Sequence, residues 1–322
     1  MSIEVIKAGI ADSFQDGGRY GHQHLGINPN GAMDLIAMKT ANALVGNDLS
    51  EAVLELCFPA STFSFKQSGL IALSGANFAA EINGIPAPIN QIIAVAAGSE
   101  LKLRKVEQGV FCYLAVHGGF KLEPWMGSFS THVKAKAGGW KGRPLQKDDV
   151  IEFKKTINQS EFKIFPGRVN VYDFYSEPEI IRVLKGNEFD LLDEKSKERI
   201  RESEFKMTSV RDRMGYRLQG ESLSREISTE LISTAATFGT VQLLPEGQLI
   251  ILMADHQTTG GYPRVAQVIA GDRSKLVQSK VGNRIYFREV SIEEAEELLL
   301  SHEKILKQIQ VTCAVRLKEI IK

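Results

Sequence analysis

Turn-forming residues interrupt this chain too often for long elements to dominate it. Apolar runs such as Ile3-Glu-Val-Ile6, Leu70-Ile-Ala-Leu73, Ala79 to Ile82, Ile92-Ile-Ala-Val95, Leu101-Lys-Leu103 and Phe111-Cys-Tyr-Leu-Ala-Val116 are punctuated by turns rich in Gly, Pro, Asn or Ser. Runs this short and this punctuated read as β-strands. A doubly wound parallel sheet needs a long helix between successive strands, so the pattern predicts barrels or sandwiches instead. Three segments read as helices. Met33 to Val45 turns an apolar face and stops at Gly46; Asp190 to Glu204 is highly charged; Ser291-Ile-Glu-Glu294 is a capping box opening a helix with Ala295, Leu298 and Leu299 inward.

With 322 residues the chain has length for about two domains. An ordered set of weak internal matches supports this. Arg19-Tyr-Gly21 with Gly26 matches Arg213-Met-Gly215 with Gly220; Leu70 to Ala76 matches Leu249 to Asp255; Gly98 to Leu103 matches Gly282 to Phe287. The expected division is an N-terminal β-barrel over 1–165, including a Gly-rich segment 106–165, and a C-terminal β-barrel with a terminal helix over 166–322. The polar stretch Lys154-Lys-Thr-Ile-Asn-Gln-Ser-Glu161 reads as the linker.

Lys plus Arg and Asp plus Glu both number 39, so no net field draws the chain to nucleic acid or an anionic membrane. No apolar run approaches the ~20 residues of a membrane span. No signal peptide is visible, and the three cysteines are scattered in apolar settings, which predicts a reduced, cytoplasmic protein. His22 and His24 have no third ligand at metal-like spacing, so no metal is expected.

Chemistry concentrates in turns. The most telling is Met253-Ala-Asp-His-Gln-Thr-Thr-Gly-Gly-Tyr-Pro263, directly behind the apolar run Leu249 to Ala254. A strand ending in a carboxylate, an imidazole, an amide, hydroxyls and glycines is a place where barrels present sites. Tyr262-Pro263 is a candidate cis peptide from this context. Gln15-Asp-Gly-Gly-Arg-Tyr-Gly21 leads to a helix start at Asp34; Ser74-Gly-Ala-Asn77 reads as a loop offering N–H groups to an anion, or as a tight β-turn; Asp212 and Arg213 read as a salt-bridged corner or as part of a site. Gly127-Ser-Phe-Ser-Thr131 and Gly138-Gly-Trp-Lys-Gly-Arg143 are Gly-rich, yet the chain has no Walker loop and no nucleophile elbow.

Taken together these stretches resemble the allophanate hydrolase subunit 2 or KipA-like family, described as the C subunit of prokaryotic ATP-dependent 5-oxoprolinase and often labelled biotin-dependent carboxyltransferases. The resemblance runs through Gln15 to Gly21, Gly31-Ala-Met-Asp34, Ala41-Asn-Ala-Leu-Val-Gly-Asn47, Leu73-Ser-Gly-Ala76, Leu114-Ala-Val-His-Gly-Gly119, Gly127 to Thr131, Gly138 to Arg143, Asp212 to Leu218 and Asp255 to Pro263. Phe129 stands where the family often has Arg.

The resemblance implies a mainly β fold of two tandem cyclophilin-like β-barrels with a few helices. It implies two partners, a KipI-like B subunit together with an A subunit resembling lactam-utilisation proteins. The complex opens the lactam of 5-oxo-L-proline to L-glutamate, with ATP as co-substrate on, or shared with, a partner. The expected catalytic residues are Asp255, Asp34 and Asp16. The expected substrate-binding residues are Gln15, Arg19, Asn42, Gly75, Ala76, Asp212, Arg213, His256, Gln257, Thr258, Thr259, Gly260, Gly261 and Tyr262. Duplication of the domains would set Asp16, Arg19 and Asp34 facing the 255–262 turn across the domain junction. Two other functions share these residues: a regulatory module that sequesters a KipI-like kinase inhibitor, and a urea- or allophanate-type carboxyltransferase subunit served by biotin on another chain.

Overall fold

The computed structural model describes residues 2–155, 163–226 and 230–321. Residues 156–161 of the expected linker lie outside the described residues. The chain divides into two compact units, the first comprising 1–19, 30–171 and 303–322, the second 20–29 and 172–302. The fold is mainly β with few helices.

The first unit holds two six-stranded sheets. One runs Val150–Glu152, Ser2–Lys7, Thr62–Phe65, Glu100–Leu103, Ala80–Ile82, Ile85–Pro86; the other runs Lys163–Ile164, Ile92–Val95, Gly69–Asn77, Gln108–Val116, Val53–Cys57, Ser13–Gln15. Alternation explains the first sheet: Phe63 and Phe65 point inward while Thr62 and Ser64 are partly exposed. The second sheet is apolar on both faces because both faces are covered. Ile71, Leu73, Ile93, Val95, Leu114 and Val116 enter one core. Their neighbours Leu70, Ala72, Ile92, Ala94, Tyr113 and Ala115 enter another, against Ala37, Met38, Ala41 and Leu44 of the helix Leu35–Leu44. The two-residue period of a strand sorts one continuous apolar run into two cores. Each fully buried Leu or Ile contributes roughly 1.5–3 kcal/mol.

Asp34 is the N-cap of that helix, its carboxylate accepting from Ala37 N at 3.0 Å. Gly46, at φ +70°, follows its end. Cys313 and Leu317, from the long helix Ile292–Ile320, join the core beneath it. The last twenty residues therefore belong to the first unit, whereas the sequence division kept the whole terminal helix with the second half. Their apolar face finds its partner in the helix Leu35–Leu44, far away in sequence.

Ser74 to Asn77, expected as a loop or tight turn, is the end of the nine-residue strand Gly69–Asn77. Gly75 takes φ +90° opposite Cys112, beside a register shift, so the glycine makes an irregularity within a paired strand. Ala76 is buried in the core, which leaves its side chain no ligand to meet.

The second unit is a closed barrel. Its strands run Ile180–Lys185, Arg264–Val268, Thr240–Leu243, Leu249–Leu252, Gly215–Gln219, Phe205–Arg211 and Arg284–Glu289. The last strand returns to the first in a parallel pair, Ile181 opposite Phe287. Val183, Phe205, Met207, Val241, Ile251, Val265, Ile285 and Phe287 fill the interior. Closure leaves the barrel no unpaired edge.

The helix Glu194–Glu202 is capped by Asp193, which accepts from Ser196 N at 2.7 Å. Ser291 Oγ accepts from Glu294 N at 3.2 Å as the capping box predicts, but Leu299, expected inward, is exposed. The cis peptide among the described residues is Phe58–Pro59, and Tyr262–Pro263 is trans. Among the described residues no helix is long and apolar enough to cross a membrane.

Candidate active site

In the second unit the strand Leu249–Leu252 pairs with Gly215–Gln219, and backbone bonds continue beyond its end: Met253 N donates to Met214 O at 2.9 Å and Asp255 N to Arg213 O at 2.7 Å. The turn that follows is thereby held on the barrel. Arg213 grips the Asp255 carboxylate in a fork, Nε to Oδ2 at 3.0 Å and Nη2 to Oδ1 at 2.8 Å. Both side chains are only 17% exposed, so this pair is fixed and sheltered yet reaches solvent. Asp212 closes the corner, its Oδ1 accepting from Met214 N and Gly215 N at 2.7 and 3.2 Å. The Asn28 amide donates to Asp255 O at 2.8 Å, while its own Oδ1 is buried without a hydrogen bond from the described residues.

His256 is buried, and its Nδ1 lies 2.7 Å from Gln257 O. A carbonyl only accepts, so the contact requires a proton on Nδ1 and leaves the lone pair of a neutral ring on Nε2. Burial pushes the imidazole below its ordinary value of 6.5; the Gln257 carbonyl and Asp255 oppose this, and the nearby Arg273 cation assists it. The ring is therefore a neutral proton acceptor at neutral pH.

A second polar group lies beneath Gly260. A Cβ built there would sit 2.7 Å from Gln242 Nε2 and 3.4 Å from Gln257 Nε2, so glycine lets both amides approach this backbone and a side chain would push the Gln242 amide aside. Gln242 is 1% exposed, and its Nε2 finds no acceptor among the described residues. A buried amide donor without an acceptor is costly unless a ligand oxygen completes it.

Other expected residues of the turn have different tasks. Thr259 and Gly260 form a short ladder with Thr234 and Ala235, and Thr258 O accepts from Ala236 N at 3.0 Å. Part of the backbone expected to face a ligand is thus taken by the ladder. Gly261 and Tyr262 remain exposed.

In the first unit Asp16 is the centre of a buried bracket. Its carboxylate accepts from Ser128 Oγ at 2.7 Å, Ser130 Oγ at 2.6 Å, Phe129 N at 2.6 Å and Gly18 N at 2.8 Å. Arg19, 1% exposed, donates to Ser130 O, Trp125 O and Asn30 Oδ1 and lies over the Trp125 ring. These contacts saturate Asp16 and give it and Arg19 the task of tying the 125–130 segment to the 15–19 turn. Gln15, also buried, donates to Ser13 Oγ at 3.0 Å. Asn42 joins its helix to the sheet, donating to Glu51 O and accepting from Asn47, which itself donates to Val116 O. Asp34, fully buried, caps its helix. Asp16, Asp34, Asn42, Gly75 and Ala76 thus belong to the first unit, and Asp212, Arg213 and the 255–262 turn to the second.

Sequence reasoning missed Gln242 and Arg273. Gln242 looks like a routine polar residue in an apolar strand, and Arg273 follows an aspartate that suggests a local ion pair.

The model of the carboxyltransferase domain, subdomain A and B, matches residues 25–289. The chain is 36% identical over 313 residues to the C subunit of 5-oxoprolinase from Escherichia coli, covering 95% of this chain and 97% of that protein. It is also 36% identical over 309 residues to the C subunit of 5-oxoprolinase from Haemophilus influenzae, covering 96% and 97%. Among solved structures, the K. lactis urea amidolyase superposes with a TM-score of 0.88 at 25% identity; the match covers 96% of this chain and 20% of that one. The chain belongs to the carboxyltransferase-domain family, subdomains A and B, in common with these 5-oxoprolinase C subunits.

Proposed function

We propose that the chain is the C subunit of a cytoplasmic, ATP-dependent 5-oxoprolinase that opens 5-oxo-L-proline to L-glutamate in complex with a KipI-like B subunit plus an A subunit of the lactam-utilisation type. The observation that carries this is the 36% identity to 5-oxoprolinase C subunits, spanning nearly the whole of both chains. The second-unit turn supplies groups that suit the chemistry.

Hydrolysis of the lactam breaks its C–N bond. A water oxygen ends on the carbonyl carbon and a proton ends on the ring nitrogen. ATP, as co-substrate, supplies activation of the carbonyl oxygen; this chain has no Walker-type loop, so the nucleotide site is assigned to a partner or shared with one. In this reading His256 Nε2 accepts the proton of the attacking water. Gln242 Nε2–H and the Gln257 amide donate to lactam oxygen. Asp255, locked to Arg213, holds the turn in register, and Thr258 lines it.

Mixing the purified chain with both partner subunits, ATP and 5-oxo-L-proline is the test. ATP-dependent glutamate release is the expected result. Partner binding with no turnover would support the regulatory reading instead. A second enzymatic reading rests on the superposition with urea amidolyase: carboxyl transfer from biotin carried on another chain. Incorporation of labelled bicarbonate into a substrate, with no glutamate formed, would favour it.

A further inference from the structure

One arginine lies near enough to His256 for its charge to bear on the ring. Arg273 begins the short helix Arg273–Gln278 after the barrel strand Arg264–Val268. It is partly buried, and its Nε is shielded from solvent with no hydrogen-bond acceptor among the described residues. Among the described residues no carboxylate pairs with it. The adjacent Asp272 is fully buried and committed elsewhere: Arg182 binds it at 2.7 Å and Lys275 at 3.2 Å. The guanidinium lies 5.1 Å from the centroid of the Phe238 ring. The titratable groups that act on it are the Tyr20 phenol and His256.

The contrast with other arginines in this unit is informative. Arg213, Arg182 and Arg264 each fork onto a carboxylate, Asp255, Asp272 and Glu188 respectively. A guanidinium partly shielded from water and without a counter-charge is destabilising unless an anion completes it. An aromatic face and a planar fork together suit a small planar anion.

We propose that Arg273 is the specificity-determining anion receptor of this site, gripping the carboxylate of a small cyclic amide acid while His256 faces the reacting amide. The identity of the ligand rests on the 5-oxoprolinase reading; the anion site itself rests on the geometry of the second unit. No bond changes at Arg273: it orients the substrate through two N–H···O bonds and leaves the proton transfers to other groups.

The test compares 5-oxo-L-proline, its carboxamide and inorganic phosphate, with full-length wild type, Arg273→Met and Arg273→Lys, alone and in the reconstituted complex. Binding is followed by calorimetry. Wild type is expected to prefer the carboxylate over the carboxamide by about 100-fold, the scale of a sheltered charge-assisted pair. Arg273→Met should erase the preference, raising KM for 5-oxo-L-proline far more than it lowers kcat, and Arg273→Lys should restore part of it. Arg273→Met should also melt no lower than wild type, because it removes an uncompensated charge, whereas a merely structural arginine would lower the melting temperature when lost. An unchanged preference in Arg273→Met, equal binding of acid and carboxamide by wild type, or phosphate binding without carboxylate binding overturns the proposal. A complex that binds the acid through Arg273 but releases no glutamate refutes the 5-oxoprolinase reading and leaves the anion site standing.

Discussion

A histidine whose Nδ1–H donates to the next residue's carbonyl has one lone pair left to use, on Nε2. Burial keeps that ring neutral to lower pH than an ordinary imidazole, whose value is 6.5. The acid limb of kcat/KM for the reconstituted complex is therefore predicted below 6.5; a limb above it would remove His256 as the proton acceptor. Stability follows the same sign. The unfolded chain takes up the proton near 6.5 while the folded chain resists it, so this stabilisation is complete above 6.5 and declines as pH falls below it. Denaturant melts of wild type and His256→Gln should converge in acid for this reason. Arg213 and Asp255 make a separate prediction at this scale. Arg213→Met removes the guanidinium fork from a sheltered carboxylate, and a double-mutant cycle with Asp255→Asn should give a coupling of about 1–3 kcal/mol. Zero coupling would mean the fork does not hold the turn. Asp255 was legible as a polar residue behind an apolar strand. Its commitment to Arg213 was not, because the two lie far apart in sequence and meet only through the pairing of Gly215–Gln219 with Leu249–Leu252.

Elements were read best where a local rule governs them. Asp34 and Gly46 bracket a helix because a side-chain oxygen caps one end and a left-handed glycine follows the other. Asp34→Ala is predicted to cost about 1 kcal/mol, measured by chemical denaturation, since one cap is lost. The strand Gly69–Asn77 was cut short in the sequence reading. Gly75 looks like a turn residue, and what keeps it in a strand is Gln108–Val116, more than thirty positions away. The Asp16 bracket was hidden for the same reason: an acid among glycines reads as a site until its donors from the 128–130 segment are seen. Asp16→Ala would strip four donors of their common acceptor. A loss of about 2 kcal/mol or more is expected, with hydrogen exchange rising at Phe129 first. A neutral effect on stability would return Asp16 to the reacting groups.

For the molecule as a whole, short punctuated strands told of a mainly β fold, and weak internal matches told of two halves. The expectation of a barrel in each half holds in the second unit, closed by a parallel pair joining its first and last strands, but in the first unit the strands divide into two sheets, a division that short apolar runs do not reveal. Nor did they assign the chain's end. Leu317 sits against Gly46 and is buried with Cys313 in the first unit's second core. Leu317→Ala is predicted to cost about 2–5 kcal/mol and to raise hydrogen exchange in the helix Leu35–Leu44. Protection lost only in the barrel would contradict that placement. The central claim is that the turn after Leu252 is where a lactam is opened. The most direct measurement is glutamate formation by the reconstituted complex carrying His256→Gln. The account predicts an assembled complex whose turnover falls by about 100-fold or more; turnover close to wild type would contradict it.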